Sequence, residues 1–110
     1  MTNQEIITFA TEFREGFLRG KRPHNKCYML SLPLSVYLDL IDVKNQMVSF
    51  DIDAINYSGN DLPKSIDVIE HHCIMIGNNI LDCTASQFKG MPDVYFGKAP
   101  IWYTNMQKQF

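Results

Sequence analysis

Apolar positions first recur at helical spacing. Between residues 3 and 19, Ile6, Phe9, Ala10, Phe13 and Phe17 fall on one face, and Glu12, Arg14 and Glu15 lie off it. Thr2 and Glu5 have the spacing of a capping box, and Gly20 follows as a C-cap. The pattern predicts an amphipathic helix packed on a core. Residues 20–26, Gly-Lys-Arg-Pro-His-Asn-Lys, read as a loop, because Pro23 disfavours helix for Arg22. A second helix is predicted from Cys27 to Asp42. Leu30, Leu34, Tyr37, Leu38 and Ile41 mark one face, while Leu32, Val36 and Leu40 make the segment apolar nearly all round. A helix of that kind is expected to be buried. Pro33 would remove a hydrogen bond within it and bend the axis. The alternative is one turn at Cys27 and a fresh start at Pro33.

The periodicity then changes from helix to strand. Residues 46–53 alternate, with Val48, Phe50 and Ile52 against Ser49, Asp51 and Asp53, which predicts a half-buried strand. Asn56 to Lys64 reads as a loop. Residues 66–76 and 80–84 form two short apolar strands joined by Gly77-Asn78-Asn79, residues suited to a hairpin turn. Val94–Phe96 and Ile101–Tyr103 are shorter strand candidates, and the polar residues from Asn105 are expected to fray. Helices precede strands, so the expected class is α+β with an antiparallel sheet.

Side chains alternate along a strand, and paired residues share a face. With Asn78-Asn79 as the loop, Met75 pairs with Asp82; with Gly77-Asn78, Cys73 does. Both registers put Asp82 on the face of His71 and leave His72 on the other. A three-residue loop would reverse the assignment. Two-residue loops are the commoner kind, which favours His71 as the partner of Asp82.

The totals set bounds on function. The 110 residues suffice for one domain, 1–110, with a single core. A net charge of −2 gives no electrostatic case for nucleic-acid binding. The basic cluster Arg19, Lys21, Arg22 and Lys26 reads as a solvated loop. No apolar run approaches the roughly 20 residues of a membrane span, and the N-terminal residues do not resemble a secretory signal. Three cysteines, at 27, 73 and 83, argue against a disulfide framework and for a reducing cytoplasm, of the producing cell or of a host cell.

These residues can be assembled into a thiol enzyme. Cys27 opens a helix, where free N–H groups and the helix dipole stabilise a thiolate. The same N–H groups, including its own, could hold an oxyanion. His71 would be the base and Asp82 would fix its tautomer. Asn25, His72 and Gln87 are candidates for oxyanion or substrate binding. The bland readings are a small buried cysteine, surface histidines at a strand end and a turn-capping aspartate. Cys73 and Cys83 read as core or edge residues. A zinc site from His71, His72, Cys73 and Cys83 is the metal alternative, but it lacks the close ligand spacing of structural sites.

The segments Asn25-Lys26-Cys27-Tyr28-Met29-Leu30-Ser31, His71-His72-Cys73 and Ile80-Leu81-Asp82-Cys83-Thr84-Ala85-Ser86-Gln87-Phe88 together resemble the papain-like and transglutaminase-like cysteine enzyme superfamily, in its small bacterial and phage branches. The last segment is the most specific. The resemblance implies a papain-like core, Cys27 as nucleophile, His71 as histidine and Asp82 as orienting acid. It also implies chemistry through an acyl-enzyme thioester without metal or cofactor. Cys73 stands where the family usually has tryptophan, Cys83 where it has proline, and the usual upstream glutamine is not evident. The expected function is a cysteine hydrolase or acyl-transfer enzyme of protease or glutamine-deamidase type, with a protein or peptide as substrate. The rival expectation is a non-catalytic binding or inhibitor module on the same scaffold.

Overall fold

The structure is a computed structural model and describes residues 1–109 of the chain. Helix α1 spans Asn3–Leu18 and helix α2 spans Cys27–Leu40. Five strands follow: β1 (Gln46–Asp53), β2 (Val68–Ile76), β3 (Asn79–Asp82), β4 (Tyr95–Gly97) and β5 (Thr104–Lys108). They form one antiparallel sheet in the order β4-β3-β2-β1-β5. The class is α+β, as the order of periodicities predicts.

The start of α1 is fixed by the expected capping box. Thr2 Oγ1 accepts from the Glu5 N–H at 3.1 Å, and Glu5 Oε1 accepts from the Thr2 N–H at 2.9 Å. The C-cap is Arg19, at φ 50°, one residue before the expected glycine, and Gly20 continues in the left-handed region at φ 80°. Arg14, off the apolar stripe, reaches across the molecule. Its Nε donates to the Cys83 carbonyl at 2.8 Å, which ties α1 to the segment after β3.

The residues of α2 continue through Pro33 without a break. Its inner face is Leu30, Leu34 and Leu38, buried with Ile6, Ala10 and Leu18 of α1 and with Ile74 and Leu81 of the sheet. The expectation of a helix buried all round is not met. Tyr28, Met29, Leu32, Val36, Tyr37 and Leu40 are exposed, because the sheet and α1 cover only one side of the helix. A network around Asn45 secures the turn into β1: Ser35 Oγ donates to its Oδ1 at 2.6 Å, and its Nδ2 donates to Asp39 Oδ1 at 2.8 Å.

Alternation along β2 divides the molecule into two cores. Ile74 belongs to the helix-side core. Cys73 belongs to a second core with Val48, Phe50, Ile52, Ile80, Phe88 and Tyr103. The hairpin loop is Gly77-Asn78, since Ile76 pairs with Asn79 and Ile74 with Leu81. Gly77 is at φ 59°, as the first position of a II′ turn requires. Continued by one step, that register puts Cys73 opposite Asp82.

Two C-terminal expectations are corrected. Ile101–Tyr103 is a turn, and the polar residues expected to fray form β5. Val48 pairs with Lys108 and Ser49 with Gln107, with a bulge before Asp51 pairs with Thr104. An edge strand exposed on both sides needs only backbone hydrogen bonds, so it carries no apolar alternation to read.

The α2–sheet contact predicts a contrast along one helix. Leu34→Ala, at a site 1% exposed, is expected to cost about 2–5 kcal/mol of unfolding free energy. Leu40→Ala, at a site 72% exposed, should change it by no more than about 0.5 kcal/mol. Urea titrations of the two variants measure both.

Candidate functional site

Cys27 is the first residue of α2. Lys26 is the N-cap and supplies no side-chain hydrogen bond; the first helical bond runs from the Leu30 N–H to the Lys26 carbonyl at 2.9 Å. The N–H groups of Cys27, Tyr28 and Met29 therefore have no acceptor within the helix. Their partial positive charge lies at the helix end from which the Cys27 side chain springs.

Two imidazoles from adjacent residues of β2 act on that thiol. The sulfur lies 3.9 Å from Nδ1 of His72. His72 Nε2 is 3.3 Å from the exposed Glu70 carboxylate, and its ring meets Tyr28 edge-on at 5.1 Å. His71 leaves the strand on the opposite face and is fully buried. Burial alone would raise the Cys27 pKa. Hydrogen bonding by His71 and His72, the charge of His71 and the His72 backbone N–H outweigh it and bring the thiol down to about 6.

Behind His71 stands Asp82, also fully buried. His71 Nε2 donates to Asp82 Oδ2 at 2.6 Å, the diagonal contact that the hairpin register allows. Tyr103 donates its hydroxyl to the same oxygen, also at 2.6 Å. The other oxygen accepts from the Thr84 N–H at 3.1 Å and the Thr84 hydroxyl at 3.4 Å. Burial pushes the Asp82 carboxyl up, but His71, Tyr103 and Thr84 offset it and hold the group below its ordinary value. Burial likewise opposes charge on His71, yet Asp82 and the Cys27 thiolate raise it to about 9. The three shifts together favour a Cys27 thiolate and a His71 imidazolium backed by the Asp82 carboxylate.

The expected residues are placed as follows. His71 meets Asp82, and the Cys27 sulfur makes its hydrogen-bond contact with His72 while His71 bears on its pKa. His72 touches the thiol and does not meet Asp82. Gln87 is buried; its Nε2 lies 3.3 Å from His71 Nδ1 and donates to Thr84 Oγ1 at 3.2 Å. Asn25, at φ 63°, turns its amide to Asp61 Oδ2 at 3.3 Å. The four residues of the zinc alternative do not converge. His71 and Cys73 lie on one face of β2 and His72 on the other, while Cys83 sits in the helix-side core. Among the described residues, no three metal-binding side chains are grouped for an ion. No helix among them is long and apolar enough to cross a membrane. Sequence reasoning missed Tyr103, whose position depends on the turn at 101–103, and Glu70, one position before the histidine pair.

No protein-family model matches the chain, and comparisons with curated proteins and with solved structures also find no match.

Two predictions follow from the electrostatics. Alkylation of Cys27 by iodoacetamide should rise through about pH 6 and far outpace that of Cys73 and Cys83 at pH 7, whose thiols burial pushes up. Peptide mapping of the labelled protein reads this directly. The second concerns stability. His71 is raised from 6.5 to about 9, so alone it stabilises fully below pH 6.5 and loses that as pH rises through 9. Cys27 is lowered from 9.0 to about 6, so alone it stabilises above pH 9 and loses that as pH falls through 6. Between those limits the folded pair holds one proton, on His71, and the unfolded pair also holds one, on Cys27. The two dependences cancel. In Cys27→Ala the part of the His71 contribution that comes from Asp82 remains, without the part that comes from the thiolate. The urea midpoint of that variant should fall, relative to the parent, on going from about pH 6.5 to about pH 8.5.

Proposed function

We propose that the chain is a cysteine-dependent hydrolase or acyl-transfer enzyme of papain-like type, acting on an amide of a protein or peptide as a protease or glutamine deamidase. The observation that carries this reading is a thiol at a bare helix N-terminus, pulled to about 6 beside a buried imidazole–carboxylate pair. Cys27 Sγ attacks the amide carbonyl carbon, and the carbonyl π electrons move to oxygen. The Cys27 N–H helps to hold that oxyanion. The imidazolium of His71 gives its proton to the departing nitrogen as the C–N bond breaks. Ammonia leaves from a glutamine side chain, or an amine from a peptide, and a thioester remains. Water then adds to the thioester while His71 takes its proton, and collapse releases the acid and the Cys27 thiolate.

His71 is assigned as the base over His72, although His72 is the ring at 3.9 Å from the sulfur. The carboxylate behind His71 is buried and accepts four hydrogen bonds, whereas the one behind His72 is at the surface. An exposed ion pair contributes little. His72, half-buried at the sulfur, lines the approach for substrate.

The apolar outer face of α2 favours a second reading, a binding module on this scaffold. Partner binding retained by Cys27→Ala would support it.

The first test uses p-nitrophenyl acetate. One acetyl group per chain should appear on Cys27 and then be lost by hydrolysis. Mass spectrometry of the intact and digested protein follows it. Acetylation no faster than that of a free cysteine thiol would refute the enzymatic reading. Cys27→Ala should fold and form no adduct. Asp82→Asn should slow acetylation by about 10²–10⁴-fold, because the imidazole tautomer is no longer fixed. His71→Gln should be at least as slow, and His72→Gln should fall well short of that loss.

A further inference from the structure

Tyr103 is buried, and four of its neighbours are aromatic. Its ring meets Phe50 at 5.3 Å, His71 at 5.6 Å, Trp102 at 4.8 Å and Phe88 at 6.1 Å, all at steep angles. Packing of that kind would serve a phenylalanine equally well, so it does not account for the hydroxyl. The hydroxyl goes to Asp82 Oδ2, the oxygen already held by His71 Nε2, and both contacts are 2.6 Å. Tyr103 is the last residue of the turn that leads into β5, and β5 is paired to β1. The donor is thus anchored by an element that is neither the helix of the thiol nor the hairpin of the imidazole.

We propose that Tyr103 is a positioning residue: by donating to the Asp82 oxygen that His71 uses, it sets how strongly that carboxylate holds the imidazole. The proposal rests on the enzymatic reading of Cys27 and His71. It goes beyond that reading by adding a residue that never touches substrate.

The chemistry requires such a restraint. A buried carboxylate facing one imidazolium concentrates its charge on that partner. An imidazolium held too tightly is a poor proton donor to a leaving amine. The phenol draws part of the charge on Oδ2 to itself. It is neutral, since burial and Asp82 keep its proton in place. The titratable groups facing His71 are Asp82 on β3, Cys27 on α2 and Tyr103 itself. Phe50 on β1, and Gln87 and Phe88 after β3, are neutral. Cys73 lies on the same face of β2, and burial keeps its thiol protonated.

The experiment is a pH titration of the His71 ring by NMR in the full chain, for the parent and Tyr103→Phe, with Cys27 acetylation measured alongside. In Tyr103→Phe the His71 midpoint should rise by about 0.5 pH or more, since one hydrogen bond to a charged group is removed. Transfer of acyl groups from an anilide, which needs a protonated leaving nitrogen, should slow more than transfer from p-nitrophenyl acetate, which does not. An unchanged His71 midpoint in the folded variant overturns the proposal. Where Tyr103→Phe does not fold, 3-fluorotyrosine at position 103 gives the opposite and equally decisive reading. A stronger donor should lower the midpoint, and no change refutes the role. Failure of Cys27 to acetylate in the parent would instead sink the enzymatic reading and leave the His71–Tyr103 coupling to stand or fall on the titration.

Discussion

A carboxylate with no access to water is the most demanding group in this fold. Removing such a charge from solvent costs several kcal/mol unless it is paired and its lone pairs are filled. Asp82 meets both conditions. His71 and Tyr103 share one oxygen, and the Thr84 backbone and side chain share the other. These donors come from β2, from the turn before β5 and from the residues just after β3. Satisfying one charge therefore fixes three parts of the chain relative to one another. Loss of one donor leaves its oxygen with a single partner, so the network constrains the fold as much as it does the site.

The same constraint organises the thiol. Asp82 supports positive charge on His71, and that charge together with the bare N-terminus of α2 favours the thiolate of Cys27. Neither effect acts alone, because burial opposes both charges. The imidazolium of His71 stands between two anions, the Cys27 thiolate and the Asp82 carboxylate, so the cluster carries one net negative charge that the hydrogen bonds of Tyr103 and Thr84 help to hold. This explains how a polar cluster can lie so close to two apolar cores. Each charge has a partner or a donor beside it, so the surrounding Phe50, Phe88 and Tyr103 can pack against the cluster.

Where local chemistry decides structure, the sequence was legible. Thr2 and Glu5 fix the start of α1 because a capping box needs no distant partner. The alternation of Val48, Phe50 and Ile52 predicts β1, although Met47 and Ser49 on its other face are buried as well, so the strand is more covered than the half-buried one expected. Gly77-Asn78 sets the hairpin register, and with it the meeting of His71 and Asp82. Where an element depends on what covers it, sequence reasoning failed. The composition of α2 does not say that only Leu30, Leu34 and Leu38 will find neighbours. Strand β5 is polar throughout and exists because β1 offers a free edge. Tyr103 and Glu70 entered the site through tertiary placement. His72 was assigned to the other face correctly, but that face is the one on which α2 brings the sulfur. The resemblance to papain-like enzymes covered the cysteine, histidine and aspartate segments and contained no position for Tyr103.

Two of the departures from the resemblance, Cys73 and Cys83, can be understood from the alternation of the hairpin. Cys73, at the tryptophan position, points with His71 into the second core and is fully buried near Asp82. A small apolar side chain there leaves the volume beside the carboxylate to Phe88 and Tyr103, and those rings are the ones that meet His71 edge-on. Cys83, at the proline position, points into the helix-side core with its sulfur 4.0 Å from the Ala10 carbonyl, while its own carbonyl takes the Arg14 side chain. Both thiols are held protonated by burial. The three cysteines of this small domain therefore differ in kind. The one at a helix terminus faces donors that pull its thiol down to about 6. The two in the hairpin are buried, and burial holds them as thiols.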